Sequence, residues 1–148
     1  YRWGDRRGVI QDYVMLVNGE PATGVCSTGD HIEVKVRAVF QQQVDNPIYG
    51  LTIKTADGVT VYGANTRDRG VSVEQGTPGS IALIRFSFTA DLVTADYFIS
   101  LGLADEDELK DSIAVDRRFD LIHLYVSSDH MDFGIVSLNM DIDRISSA

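Results

Sequence analysis

"NPIYGLTIKTADGVTVYGANT", residues 46–66, fixes the fold class of this chain. Tyr49, Leu51 and Ile53 fall on one face of an extended segment, and Gly50, Thr52 and Lys54 fall on the other. That period of two is the mark of a strand half buried in a core. Asp57-Gly58 supplies a tight turn, and Val59 and Val61 begin a returning strand. The segment ends in Tyr62-Gly63-Ala64-Asn65-Thr66. This pentapeptide reads as an elbow and not as a ligand site. Tyr62 continues the alternation, Gly63 supplies a conformation closed to other residues, and Asn65 and Thr66 bond nearby backbone as the strand leaves its ladder.

The same period repeats along the chain. Residues 9–17 form a run that meets Asn18-Gly19, a tight-turn pair, and residues 20–30 read as loop with a short strand. In "HIEVKVRAVF" (31–40), Ile32, Val34, Val36, Ala38 and Phe40 face one way and Glu33, Lys35, Arg37 and Val39 the other. Residues 65–80 are polar and read as a long loop. Further strands are expected over 80–89, 96–104, 118–126 and 133–142. About eight strands, with no amphipathic helix, predict an all-β antiparallel β-sandwich of immunoglobulin-like or jelly-roll-like type. Buried parallel strands would give unbroken apolar runs instead.

A chain of 148 residues is expected to form a single domain over 1–148. It opens on Tyr1, so it reads as a piece of something longer, with residues 1–8 a linker remnant. No apolar run approaches the roughly 20 residues of a membrane-spanning helix. The net charge of −9 argues against nucleic acid as a partner, since phosphate binding needs a basic footprint. The one cysteine, Cys26, excludes an internal disulfide and a Cys-based zinc site.

Catalytic motifs are missing from the sequence. It holds no nucleophile elbow, no phosphate-cradling loop with a lysine, no paired-histidine zinc helix and no Cys-x-x-Cys. His130 between Asp129 and Asp132 makes a weak metal cluster, outweighed by a solvated turn. Asp105–Glu108 with Asp111 suggests calcium but lacks the glycine and alternate spacing of a calcium loop, so neither metal nor cofactor is expected. The outward strand positions are more informative. Lys35, Arg37, Thr52, Lys54, Arg85, Ser87, Phe98, His123 and Tyr125 combine cations, hydroxyls and rings. Rings cover the C–H faces of a sugar and forked donors satisfy its hydroxyls, although any one of these residues is also ordinary on a wet sheet. Trp3 suits a sugar, the cover of a core edge or a linker, and Arg2, Arg6 and Arg7 suit contact with whatever precedes the domain.

The stretch from Pro47 to Thr66 also resembles a known family, the C-terminal domain of Wzt-type ATP-binding subunits of bacterial O-antigen polysaccharide ABC transporters. Pro47, Tyr49, Gly50 and Ile53, then Ala56-Asp57-Gly58, then Tyr62-Gly63-x-Asn65-Thr66 follow the family's pattern. "STGDHIEVKVRAVF", "ADYFISLGLAD" and "VDRRFDLIHLYV" resemble its other strands, with Ala95-Asp96 where a glycine is usual. The usual terminal Trp is replaced: "GIVSLNMDI" supplies Gly134, Ile135, Val136 and Leu138 without it. The resemblance implies an immunoglobulin-like sandwich hung from a nucleotide-binding domain at the cytoplasmic face of the bacterial inner membrane. It implies a non-catalytic domain that reads the modified terminus of an undecaprenyl-linked polysaccharide and so couples its completion to export. ATP and Mg would belong to the upstream domain, and a membrane-spanning transporter subunit would be a partner. It further implies a homodimer, with 133–142 as a C-terminal strand open to exchange.

With a glycan as ligand, the expected binding residues are Arg37, Thr52, Arg85, His123 and Tyr125, chosen by alternation and not by family motif. Two other readings compete. One is a dimerisation or scaffold module of a transporter ATPase. The other is an accessory sugar-binding module of a carbohydrate-active enzyme.

Overall fold

A computed structural model describes residues 1–146; positions 147 and 148, the end of the expected domain span, lie outside the described residues. Ten strands follow in chain order: β1 (Arg2–Trp3), β2 (Gly8–Val17), β3 (Glu20–Pro21), β4 (Val25–Ser27), β5 (His31–Phe40), β6 (Pro47–Thr55), β7 (Thr60–Asn65), β8 (Ile81–Thr89), β9 (Ala95–Glu106) and β10 (Ser112–Ser127). Sheet A has the order β1-β10-β9-β6-β7, with β4 also paired to β10, and sheet B the order β3-β2-β5-β8. All pairs are antiparallel except β4 with β10. The result is the expected all-β sandwich, and the described residues include no α-helix. Seven of the expected eight strands are present, and the other three, β1, β3 and β4, are short pieces that carry too few residues to show a period.

Alternation builds the core. Ile32, Val34, Val36, Ala38 and Phe40 of β5 are buried, as are Tyr49, Leu51 and Ile53 of β6. Cross-strand pairing stacks them in layers: Ile53 beside Ile99 beside Ile122, Leu51 beside Leu101, Tyr49 beside Leu103. Each fully buried large apolar side chain contributes roughly 1.5–3 kcal/mol by leaving water. A register slip of one residue would turn this whole set toward solvent.

Two expected segments behave differently. Residues 1–8 are not a linker but part of the sandwich. Arg2 and Trp3 pair with Arg118 and Arg117 of β10. The Arg2 guanidinium donates Nε to Asp116 Oδ1 at 2.8 Å and Nη2 to Oδ2 at 2.7 Å, and Asp116 is fully buried. Ile10 N of sheet B donates to the same Oδ2 at 2.7 Å, so one carboxylate ties the two sheets. Gly4 lets the chain pass: its φ is +143°, and a Cβ there would stand 2.3 Å from Val115 O. Residues 133–142, expected as a strand, form no strand in this chain. Val136 makes an isolated bridge to Leu92, and Leu138, Met140 and Ile142 stand exposed beyond it. The alternation is real, but the segment has no neighbouring strand to pair with.

The elbow is as expected in outcome and different in mechanism. Thr66 exchanges bonds with Tyr49, donating N to Tyr49 O at 2.9 Å and accepting Tyr49 N on Oγ1 at 3.1 Å. Asn65 Oδ1 accepts Asp68 N at 2.8 Å. Gly63 is not among the residues with positive φ, so it stays in the strand. Tyr62 does share the core-facing side with Ile53, yet it is half exposed because β7 is an edge.

Candidate functional site

The structure divides the five expected binding residues between opposite faces of the sandwich. Thr52, His123 and Tyr125 lie on the outer face of sheet A, on β6 and β10. Arg37 and Arg85 lie on the outer face of sheet B, on the paired strands β5 and β8. A single face holding all five is therefore corrected. Alternation reports whether a side chain leaves the core but not on which side of the sandwich it emerges.

On sheet A the outer positions of the adjacent strands β9, β6 and β7 are small. Gly50 pairs with Gly102, and Thr52 pairs with both Ser100 and Gly63. Their small size opens a trough of about 310 Å³. A Cβ at Gly102 would meet nothing within 4 Å, so packing does not demand glycine there. Glycine in a strand interior weakens the strand and marks close approach of a ligand or another backbone.

The trough wall comes from a break in β10. Register shifts between Arg118 and Ile122, and Asp120 takes φ 51°. Asp120 N donates to Ser100 Oγ at 2.8 Å, which holds the bend against the trough floor. The bend brings Phe119 to the trough lining. Tyr1 packs on Phe119 with ring centroids 5.2 Å apart, and Lys54 Nζ lies 5.8 Å from the same ring. Trp3 pairs with Arg117 in register, and the Arg117 guanidinium lies 6.0 Å from its ring. Farther along the sheet, His123 stacks on Phe98 at 5.0 Å and meets Asp96 Oδ1 through Nε2 at 2.7 Å. Tyr125 stands beside Asp96 in register.

Cations flank the trough. Arg117 lines it next to Gly102. Arg67 lies at its other rim, 3.0 Å from Asp68 and 3.6 Å from Glu106. The Asn65 amide, and then Arg67, hold the Asp68 carboxyl below the usual carboxylate range. Chemically, this is an open surface of an aromatic ring and guanidinium donors around a floor of glycine, serine and threonine. It suits a flat, hydroxylated ring that needs both C–H stacking and hydrogen bonds.

Sequence reasoning did not single out Ser100, Gly102, Arg117 or Phe119. The available signal was glycine at outward positions of two strands, Gly50 and Gly102. Phe119 carried none, because the bend that aims it breaks the period. A larger cleft, about 710 Å³, lies elsewhere, between the unpaired edges of β7 and β8. Its lining is mostly apolar, including Leu51, Phe86, Phe88 and Leu92, and it is an unclosed side of the core. Among the described residues no three His, Cys, Asp or Glu side chains converge to hold a metal.

Comparison with known proteins matches this architecture. A family model described as the Wzt C-terminal domain matches residues 1–138. A solved structure titled the crystal structure of the C-terminal domain of wzt superposes with a TM-score of 0.85 at 29% identity, covering 98% of this chain and 88% of that one. No curated protein sequence matches the chain.

Proposed function

The chain belongs to the Wzt C-terminal domain family, and from that premise we propose that the sheet A trough is its glycan site. In this reading the domain recognises the modified terminus of an undecaprenyl-linked O-antigen polysaccharide and presents it for export by an ABC transporter. The domain is non-catalytic. Its partners are an upstream nucleotide-binding domain, which would hold ATP and Mg, and a membrane-spanning subunit, at the cytoplasmic face of the inner membrane.

The facing Gly50–Gly102 pair carries this reading. Two glycines side by side in central strands lower sheet stability. They make sense where a sugar ring must settle onto backbone beneath Phe119 and beside Arg117. Titration calorimetry with the cognate capped O-polysaccharide tests it. Gly102→Leu fills the trough without backbone strain and removes measurable binding. Phe119→Ala weakens binding by about tenfold. Melting temperatures show that both variants fold. Wild-type affinity in both would exclude the trough.

A second reading rests on residues 133–142. Phe133, Leu138, Met140 and Ile142 are 97%, 77%, 73% and 87% exposed, and Val136 already lies in the mouth of the β7–β8 cleft. Such an edge is a template for a further strand. The segment supports a homodimer in which each copy lends this strand to the other's open side. Sedimentation equilibrium of the full chain then gives twice the chain mass, and a chain ending at 132 gives one. A full chain that stays monomeric at every concentration excludes the exchange. Glycan binding retained by the shortened monomer separates recognition from a scaffold role.

A further inference from the structure

The outer face of sheet B holds a cation cluster that neither the core nor the trough uses. Lys35 stands directly across from Arg85, and Arg37 stands across from Leu83, one diagonal step from Arg85. Directly opposed side chains have Cβ atoms about 4.5–5.5 Å apart and diagonal ones about 7–8 Å, so all three cationic heads reach one point. Like charges placed directly opposite each other destabilise a sheet.

Among the described residues, no carboxylate closes an ion pair on these three cations and none of them makes a side-chain hydrogen bond, although the chain carries 22 acidic residues against 13 basic ones. By contrast Arg2, Arg7 and Arg67 each hold a carboxylate. Asp12 stands opposite Arg37 without closing an ion pair on it, its Oδ1 accepting Tyr13 N at 2.8 Å, and it is the one acidic side chain lining the groove. Glu33 lies 3.6 Å from His31. The three cations line a groove of about 440 Å³ with Asp12, Tyr13, Val14 and Leu83. Val14 and Leu83 exclude water from part of the groove, which strengthens the pull of the three cations on an anion held above it.

We infer that Lys35, Arg37 and Arg85 form an anion site that takes a phosphate group. Two guanidinium forks and one ammonium match the three oxygens of a phosphate, whereas a carboxylate would satisfy one fork. The site is independent of the glycan reading. It lies on the other sheet, and failure of the trough leaves it standing.

Inorganic phosphate is the probe, followed by amide correlation NMR of the full chain at constant ionic strength against chloride. The amides of Lys35, Arg37 and Arg85 shift and saturate, while those of Ser100 and Gly102 do not move. Arg37→Ala and Arg85→Ala each weaken phosphate binding by about tenfold. Arg85→Glu abolishes binding and raises the melting temperature, since it turns an opposed like-charge pair into an attractive one. Shifts that never saturate, or an affinity unchanged in these variants, overturn the site. A second arm uses phosphatidylcholine vesicles with and without phosphatidylglycerol. Sedimentation only with the anionic vesicles, lost in Arg85→Glu, assigns the phosphate to a lipid headgroup. Phosphate binding without sedimentation assigns it to a soluble ligand.

Discussion

The two sides of this sandwich are finished differently. Where β1 and β10 lie over β2, Asp116 accepts two bonds from Arg2 and one from Ile10 N, and Arg118 Nη1 reaches Ile10 O at 3.3 Å. That side is latched by polar groups. Where β7 faces β8, no strand pairing joins the sheets, and Ile84, Phe86 and Phe88 are only half buried. The strands on both sides carry the same alternation, so patterning alone does not close a sandwich. A buried carboxylate that accepts three hydrogen bonds makes one side self-sufficient. An apolar cleft leaves the other side open to added chain.

Breaking the latch should produce the largest effect. Arg2→Ala leaves Asp116 charged, buried and without its bidentate partner, a loss of about 3–5 kcal/mol. Urea unfolding reads it directly. At the rim of the sheet A trough, beyond the edge strand β7, Arg67→Ala removes an exposed ion pair and should leave the melting temperature where it was. If the two variants melted alike, the latch would be no more than a surface pair. The loss also touches the trough, because Tyr1 packs on Phe119 and Trp3 on Arg117, and both of those residues line it.

This contrast marks what sequence could show. The inward residues of β5, β6, β8 and β9 were legible because a period of two is local. Sheet membership was not, because it depends on pairing partners far along the chain. Arg37 and Thr52 both read as outward, yet they emerge on opposite faces. The latch was illegible for a related reason: Arg2 and Asp116 are separated by 114 positions, and a two-residue β1 has no period. Residues 133–142 show the converse. Their pattern is a strand's, but a strand also requires a neighbour, which this chain does not itself provide.

A smaller effect distinguishes the two halves by their buried polar groups. Tyr49 sits on β6, beside the open edge strand β7, and its Oη is buried with no hydrogen-bond partner. Tyr97, on β9, donates its hydroxyl to Val93 O at 2.7 Å. Burial pushes the Tyr49 phenol from 10.0 up to about 12. Below the unfolded value both states are neutral, so the phenol adds no pH dependence. As pH rises from 10 toward 12 the unfolded chain loses its proton first, and stability falls by about 1.4 kcal/mol per unit, roughly 2–3 kcal/mol in all. Tyr49→Phe removes that slope. It also removes an unsatisfied hydroxyl, so at neutral pH the variant should be more stable by about 1 kcal/mol, whereas Tyr97→Phe should lose a similar amount. Lysines and other tyrosines titrate in the same range, so the informative quantity is the difference between wild type and Tyr49→Phe in denaturant unfolding across that range. A difference that stays flat from neutral to alkaline pH would mean that the open side admits water as far as β6.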